Sequence, residues 1–300
     1  MRLKLITFRE AIAVLSVSAI MAAGCSNDPK KTEDVPQQGN DTIQSGTLIP
    51  ISGEIFSIPS PIQTALLIKG SGANYNKSIL NVSTKTSQYS TNFAKAINLG
   101  IYGADLGYVT IYDQSQDAIG YLNSAKKLSD GLGISSAFDQ QTIERFTKNL
   151  GNKDSMLVLV GVAYRASDAY LKTNDRSDVS GLVLAGGWIE SLYFTTDIYK
   201  TKPNEEIKLR IAEQKLSLQS LIKLLSPYKE QPEYTKLVNS LNDLATVYDG
   251  IEFKYTFAKP VTDAARKLTT INSKTEVTIS PEQIQSITEK VREIRNQIVG

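Results

Sequence analysis

Apolar residues recur at helical spacing through most of the second half of the chain. In 204–225, Ile207, Ile211, Leu218, Leu221 and Leu225 fall on one stripe. In 233–248, Tyr234, Leu237, Leu241, Leu244 and Tyr248 do the same. The last segment is clearest. Ser280, Pro281 and Gln283 make a capping-box start, and Ile284, Ile287, Val291, Ile294 and Ile298 then follow at alternating three- and four-residue steps. These spacings predict amphipathic helices.

The first half of the body is more apolar and more punctuated. Ser60-Pro61 reads as an N-cap with proline at the first helical position, and Gly70 and Gly72 read as its stop. YSTNFAKAINLG and IYGADLGYVTIY follow as two helical segments, then a segment from Gln114 to about Asp130 that GLG ends. Ser136 and Asp139 start FDQQTIERFTKNLG, and Asp154 starts a helix to about Lys172. Asp178 reads as the cap of VSGLVLAGGWIESLYFTTDIYK, which is apolar almost all round and therefore predicted to be central and buried. One stretch breaks the helical pattern. Around 251–279, IEFKYTFAKPVTD and KLTTINSKTEVTI alternate partially about a turn-prone Asn272-Ser273, predicting a small β-hairpin or extended excursion. The expected fold is mainly α: an antiparallel multi-helix bundle with this small β element, a single domain over 51–300.

The N-terminal pattern is different in kind. Arg2, Lys4 and Arg9 precede a nearly uncharged run from Ala11 to Ala23, too short for the roughly 20 apolar residues of a membrane-spanning helix. It has the form of a secretory signal over 1–24. AAGC followed by SND resembles the lipobox of bacterial lipoproteins, with Ala22 where leucine is usual. The resemblance implies a thioether-linked diacylglycerol on Cys25, cleavage before it and acylation of the new amino terminus. Each buried methylene contributes about 0.8 kcal/mol, so several chains anchor stably. Residues 25–50 then read as a lipidated flexible tether, polar and without periodicity, with a reach of roughly 25–30 Å. Asp28 is similar to the acidic export signals of surface lipoproteins, and Asp41-Thr42-Ile43 matches a short O-glycosylation pattern of the same bacteria. With IPSPIQTALLIKGSGANY and NDRSDVSGLVLAGGWIESLYF, the whole resembles uncharacterised helical lipoproteins of Bacteroidetes. That implies a cell-envelope location, at the periplasmic face or outer-membrane surface, and no mechanism.

Composition narrows the chemistry. Removing 1–24 takes away three basic residues and one acidic residue, so the formal charge of +2 falls to zero. No basic excess is left for nucleic acid, and no nucleic-acid partner is expected. The chain has no histidine and one cysteine. Histidine-dependent catalysis and histidine metal ligands are excluded, and with Cys25 acylated so are thiolate sites and disulfides. No cofactor and no metal are expected.

Candidate chemistry is thin. Residues 69–78, KGSGANYNKS, evoke a phosphate loop, but Asn76 stands where glycine is needed and a helix precedes it. Ser124 and Lys127 match an S-x-x-K pattern without its companion motifs. Gly186-Gly187 beside Trp188 serve either close helix packing or a pocket. Asp105, Tyr108 and Tyr112 share a helical face, as do Arg165 and Asp168, and each set is either a solvated face or part of a polar network around Glu190. Thus Asp105, Tyr108, Arg165, Asp168, Trp188 and Glu190 are the candidate ligand or polar-network residues; none is assigned a catalytic role. Fourteen tyrosines suit stacking on sugars and equally suit a helical core. The expected function is a membrane-anchored, non-enzymatic helical module that binds a small molecule, glycan or protein partner. The alternative is a carboxylate-dependent hydrolase of glycan or peptidoglycan, which needs two facing acids in a cleft. A third reading is a structural spacer.

Overall fold

The computed structural model describes residues 47–51, 54–135, 139–263 and 265–300. The signal segment 1–24, Cys25, the tether residues 26–46 and Ser136 lie outside the described residues.

The body is a helical bundle built around two long, buried helices, α2 (Asn92–Ile111) and α6 (Ser177–Thr201). Around them pack α1 (Pro61–Gly70), α3 (Ser115–Leu132), α5 (Lys153–Thr173), α7 (Glu205–Leu225) and α9 (Pro281–Val299). Helix α4 (Gln140–Lys148) packs on α5, and α8 (Pro232–Tyr248) fills the angle between α7 and α9. Helices joined by a few residues lie side by side, as short connections require.

The stripes in α7 and α8 are buried throughout. Helix α9 starts on the expected capping box, with the Gln283 N–H donating to the Ser280 hydroxyl and the Ser280 N–H donating to the Gln283 side chain. Its stripe turns slightly near the end: Ile298 is half-buried, while Arg295 and Val299 go inside.

Several details differ from the sequence reading. First, the two segments expected on either side of Gly100 are one continuous helix. A Cβ on Gly100 would overlap the Val183 carbonyl oxygen, and one on Gly186 the Ile97 carbonyl oxygen. Helices α2 and α6 therefore cross backbone to backbone, and the contact outweighs the roughly 1 kcal/mol helix-propensity cost of each glycine. Second, one cap shifts: Asp178 lies in the first turn of α6 behind an Arg176 N-cap, whereas Ser60 is the N-cap of α1 with Pro61 next, as expected, though without a side-chain capping bond. Third, strand β1 (Thr47–Ile51) pairs antiparallel with β2 (Glu54–Ile58), so the last residues expected as tether are strand.

The 251–279 excursion is a two-stranded arm. β3 (Glu252–Thr256) pairs with β6 (Lys274–Thr278), and β4 (Val261–Asp263) with β5 (Leu268–Thr270), all antiparallel. The chain reverses between Asp263 and Leu268, not at Asn272-Ser273. The Asp263 carboxylate accepts from the Ala265 and Arg266 N–H groups, and Lys267 takes the left-handed conformation (φ 51°). Among the described residues no helix is long and apolar enough to cross a membrane.

Candidate functional site

Helix α6 is buried from Val179 to Phe194 except at Leu184 and Tyr193, so a carboxylate on it has no route to water. Glu190 sits there, fully buried, and Arg295 of α9 meets it. The guanidinium donates from Nε to one carboxylate oxygen at 2.6 Å and from Nη2 to the other at 2.7 Å. Nη2 also donates to the Ile79 carbonyl at 3.0 Å, and the guanidinium lies 4.4 Å from the centre of the Tyr193 ring. This fork-to-fork geometry is the strong form of an ion pair.

Asp105 of α2 is the third member. It is fully buried and faces Glu190 and the Asn81 backbone. Burial, and then the facing charge of Glu190, raise its pKa well above the ordinary carboxyl value. Burial also lifts Glu190, but Arg295 opposes that. These directions favour the proton on Asp105 and the charge on Glu190, one carboxylate for one guanidinium.

A strap of chain between α1 and α2 closes over this cluster, and tyrosines hold it. The Tyr112, Tyr121 and Tyr102 hydroxyls donate to the carbonyls of Ala73, Asn81 and Val82 at 2.8, 2.8 and 2.9 Å. The Asn76 N–H donates to the Tyr108 hydroxyl at 3.1 Å. Ser124 donates to the Ser83 carbonyl at 2.6 Å, and its S-x-x-K partner Lys127 points to solvent. With the 69–78 loop, Lys77 pairs with Asp117.

The structure thus brings together two of the residues singled out by sequence, Asp105 and Glu190, and leaves the others apart. Tyr108 serves the strap and packs on Phe194 at 5.0 Å. Trp188 is buried, and its indole N–H donates to Gln214 of α7 at 2.9 Å; it bridges two helices. Arg165 is exposed on α5, and Asp168 pairs with Lys172 and accepts from the Ser180 hydroxyl. Sequence reasoning missed Arg295. Its signal was there: the residue follows Val291 by four on the apolar stripe of α9.

A groove of about 200 Å³ lies between α2, α8 and α9. Phe93, Ile97, Leu237 and Ile294 form its floor; Glu233, Lys236 and Gln297 stand at its rim. Its volume is below the roughly 300–1,000 Å³ of sites for drug-sized ligands. A second, apolar cavity between α2, α3, α5 and α6 measures about 20 Å³, room for one water at most. The described residues hold no cluster of acids able to bind a metal ion.

Compared with known proteins, the chain matches no family model, no curated sequence and no solved structure.

Proposed function

We propose that this chain is a cell-envelope lipoprotein, anchored through Cys25, whose helical body is a non-catalytic binding module. The observation that carries the second half is the sealing of the acid pair. Glu190 and Asp105 face each other, and neither reaches solvent. A hydrolase needs such a pair exposed across a cleft. Here one acid is paired with Arg295 and burial favours the neutral form of the other, so the pair works as internal architecture. The place open to a small ligand or to a partner's side chains is the α2–α8–α9 groove, with apolar walls and one charge of each sign at its rim.

Two experiments test this. Cys25→Ala is expected to abolish fatty-acid labelling and to release the protein from the membrane fraction; a labelled variant overturns the anchor. Incubated with peptidoglycan or glycans, the protein is expected to release no soluble fragments. Release that Glu190→Gln abolishes establishes the hydrolase instead.

A further inference from the structure

The β3–β6 arm is built for a surface other than water. Its base is tightly held. Ile251 and Ile279 are buried, the Lys215 ammonium bonds the carbonyls of Asp249 and Ile251, and a Cβ on Gly250 would press on the Gln283 amide. Beyond that base the arm leaves the body. From Glu252 to Thr278 every described residue is exposed except Ala258, Ser273 and Val277, which are half-buried. A lone two-stranded hairpin in water is marginal, and this one carries large apolar groups at its far end. Phe257, Val261, Leu268 and Ile271 are 70%, 61%, 55% and 73% exposed. The pairing of Val261 with Thr270 and of Asp263 with Leu268 puts Val261 and Leu268 on one face.

Charge identifies the partner. Between 257 and 274 stand Lys259, Arg266, Lys267 and Lys274, against Asp263 alone. The Asp263 carboxylate is already engaged by two N–H groups of the turn and by Arg266. The end of the arm is therefore cationic as well as apolar. Two such tips repel one another, which disfavours a second copy of the chain. Apolar side chains ringed by lysine and arginine suit the boundary of an anionic bilayer, where the side chains enter the acyl region and each cation gains from the phosphates.

We propose that the tip of the arm, residues 257–271, inserts into the interface of an anionic phospholipid membrane and holds the body at a set orientation to it. The contact is independent of the Cys25 anchor and of the groove, so it stands or falls separately from the reading above.

The test uses the full chain with Cys25→Ala, which has no other thiol, and an environment-sensitive fluorophore on Thr270→Cys. Vesicles are phosphatidylcholine with or without roughly one-third phosphatidylglycerol. Expected with the anionic vesicles are a blue shift and quenching by lipids brominated in the acyl chain. Both should weaken with salt, and partitioning should fall about tenfold or more with Phe257→Asp or Ile271→Asp. Neutral vesicles should give little of either. A chain held only by its N-terminal segment leaves the fluorophore unquenched, which overturns the proposal. So does a blue shift that grows with protein concentration without lipid, which assigns the tip to a second copy.

Discussion

At the residue scale the Asp105–Glu190–Arg295 cluster sets the energetics. Truncating one partner of a buried ion pair usually costs about 3–5 kcal/mol, because the other charge is left unpaired. Glu190→Gln is expected to cost less than that, since Asp105 stands beside the guanidinium and can give up its proton to replace the lost charge. Asp105→Asn alone swaps a neutral acid for a neutral amide. The double variant removes both sources of negative charge and should lose about 3–5 kcal/mol, more than the single losses combined; urea denaturation of the four proteins measures the coupling. The pH dependence has a definite sign. Burial and Glu190 raise the pKa of folded Asp105, whereas the unfolded side chain titrates at about pH 4. Its contribution is complete below that pH and declines as pH rises toward the folded pKa. Relative to Asp105→Asn, the wild type should therefore lose stability from about pH 4 upward. A difference that stays flat across pH 4–8 shows Asp105 ionised in the fold.

At the scale of elements, the α2–α6 crossing is the tightest constraint. Gly100→Ala and Gly186→Ala each drive a Cβ into a carbonyl oxygen of the other helix, and backbone cannot swing aside as a side chain can. Each is expected to cost about 3 kcal/mol, the upper end for overpacking. Gly107→Ala is the control on the same helix. Its Cβ would meet only the Ile62 side chain at 3.5 Å, an ordinary contact. It should be neutral or stabilise by up to about 1 kcal/mol through helix propensity. Thermal unfolding of the three variants ranks them; equal losses mean that the crossing is looser than its geometry.

At the scale of the molecule, body and arm divide the work. The bundle buries its apolar stripes and the Glu190–Arg295 ion pair, and the arm buries almost nothing beyond Ile251 and Ile279. Replacing 253–277 by a short glycine-serine turn is therefore expected to leave the unfolding midpoint of the body within the reach of about 0.5 kcal/mol, as for exposed changes generally. A large loss means that the arm packs on the helices in solution. The same separation leaves the groove between α2, α8 and α9 untouched when the arm is altered, so effects on ligand and on membrane can be measured independently.

Much of this was legible along the chain because it is local. The stripes of α7, α8 and α9, the Ser280–Gln283 capping box and the β excursion before the last helix follow from spacing and turn chemistry, which neighbouring residues impose on one another. Glu190 and Asp105 were visible as polar groups on apolar faces. What they meet was not. Arg295 lies 105 positions from Glu190, and only packing α9 against α6 under the strap puts a guanidinium there. The fate of the glycines was undecided for the same reason. Gly100 and Gly186 are compatible in sequence with a break, a pocket or a crossing, and the approach of a second backbone selects the crossing. The sequence by itself determined which segments become helix or strand, since those choices are settled within a few turns of chain. Tertiary structure alone decided which buried charges neutralise each other, because the cost of burying a charge depends on what distant residues bring to it.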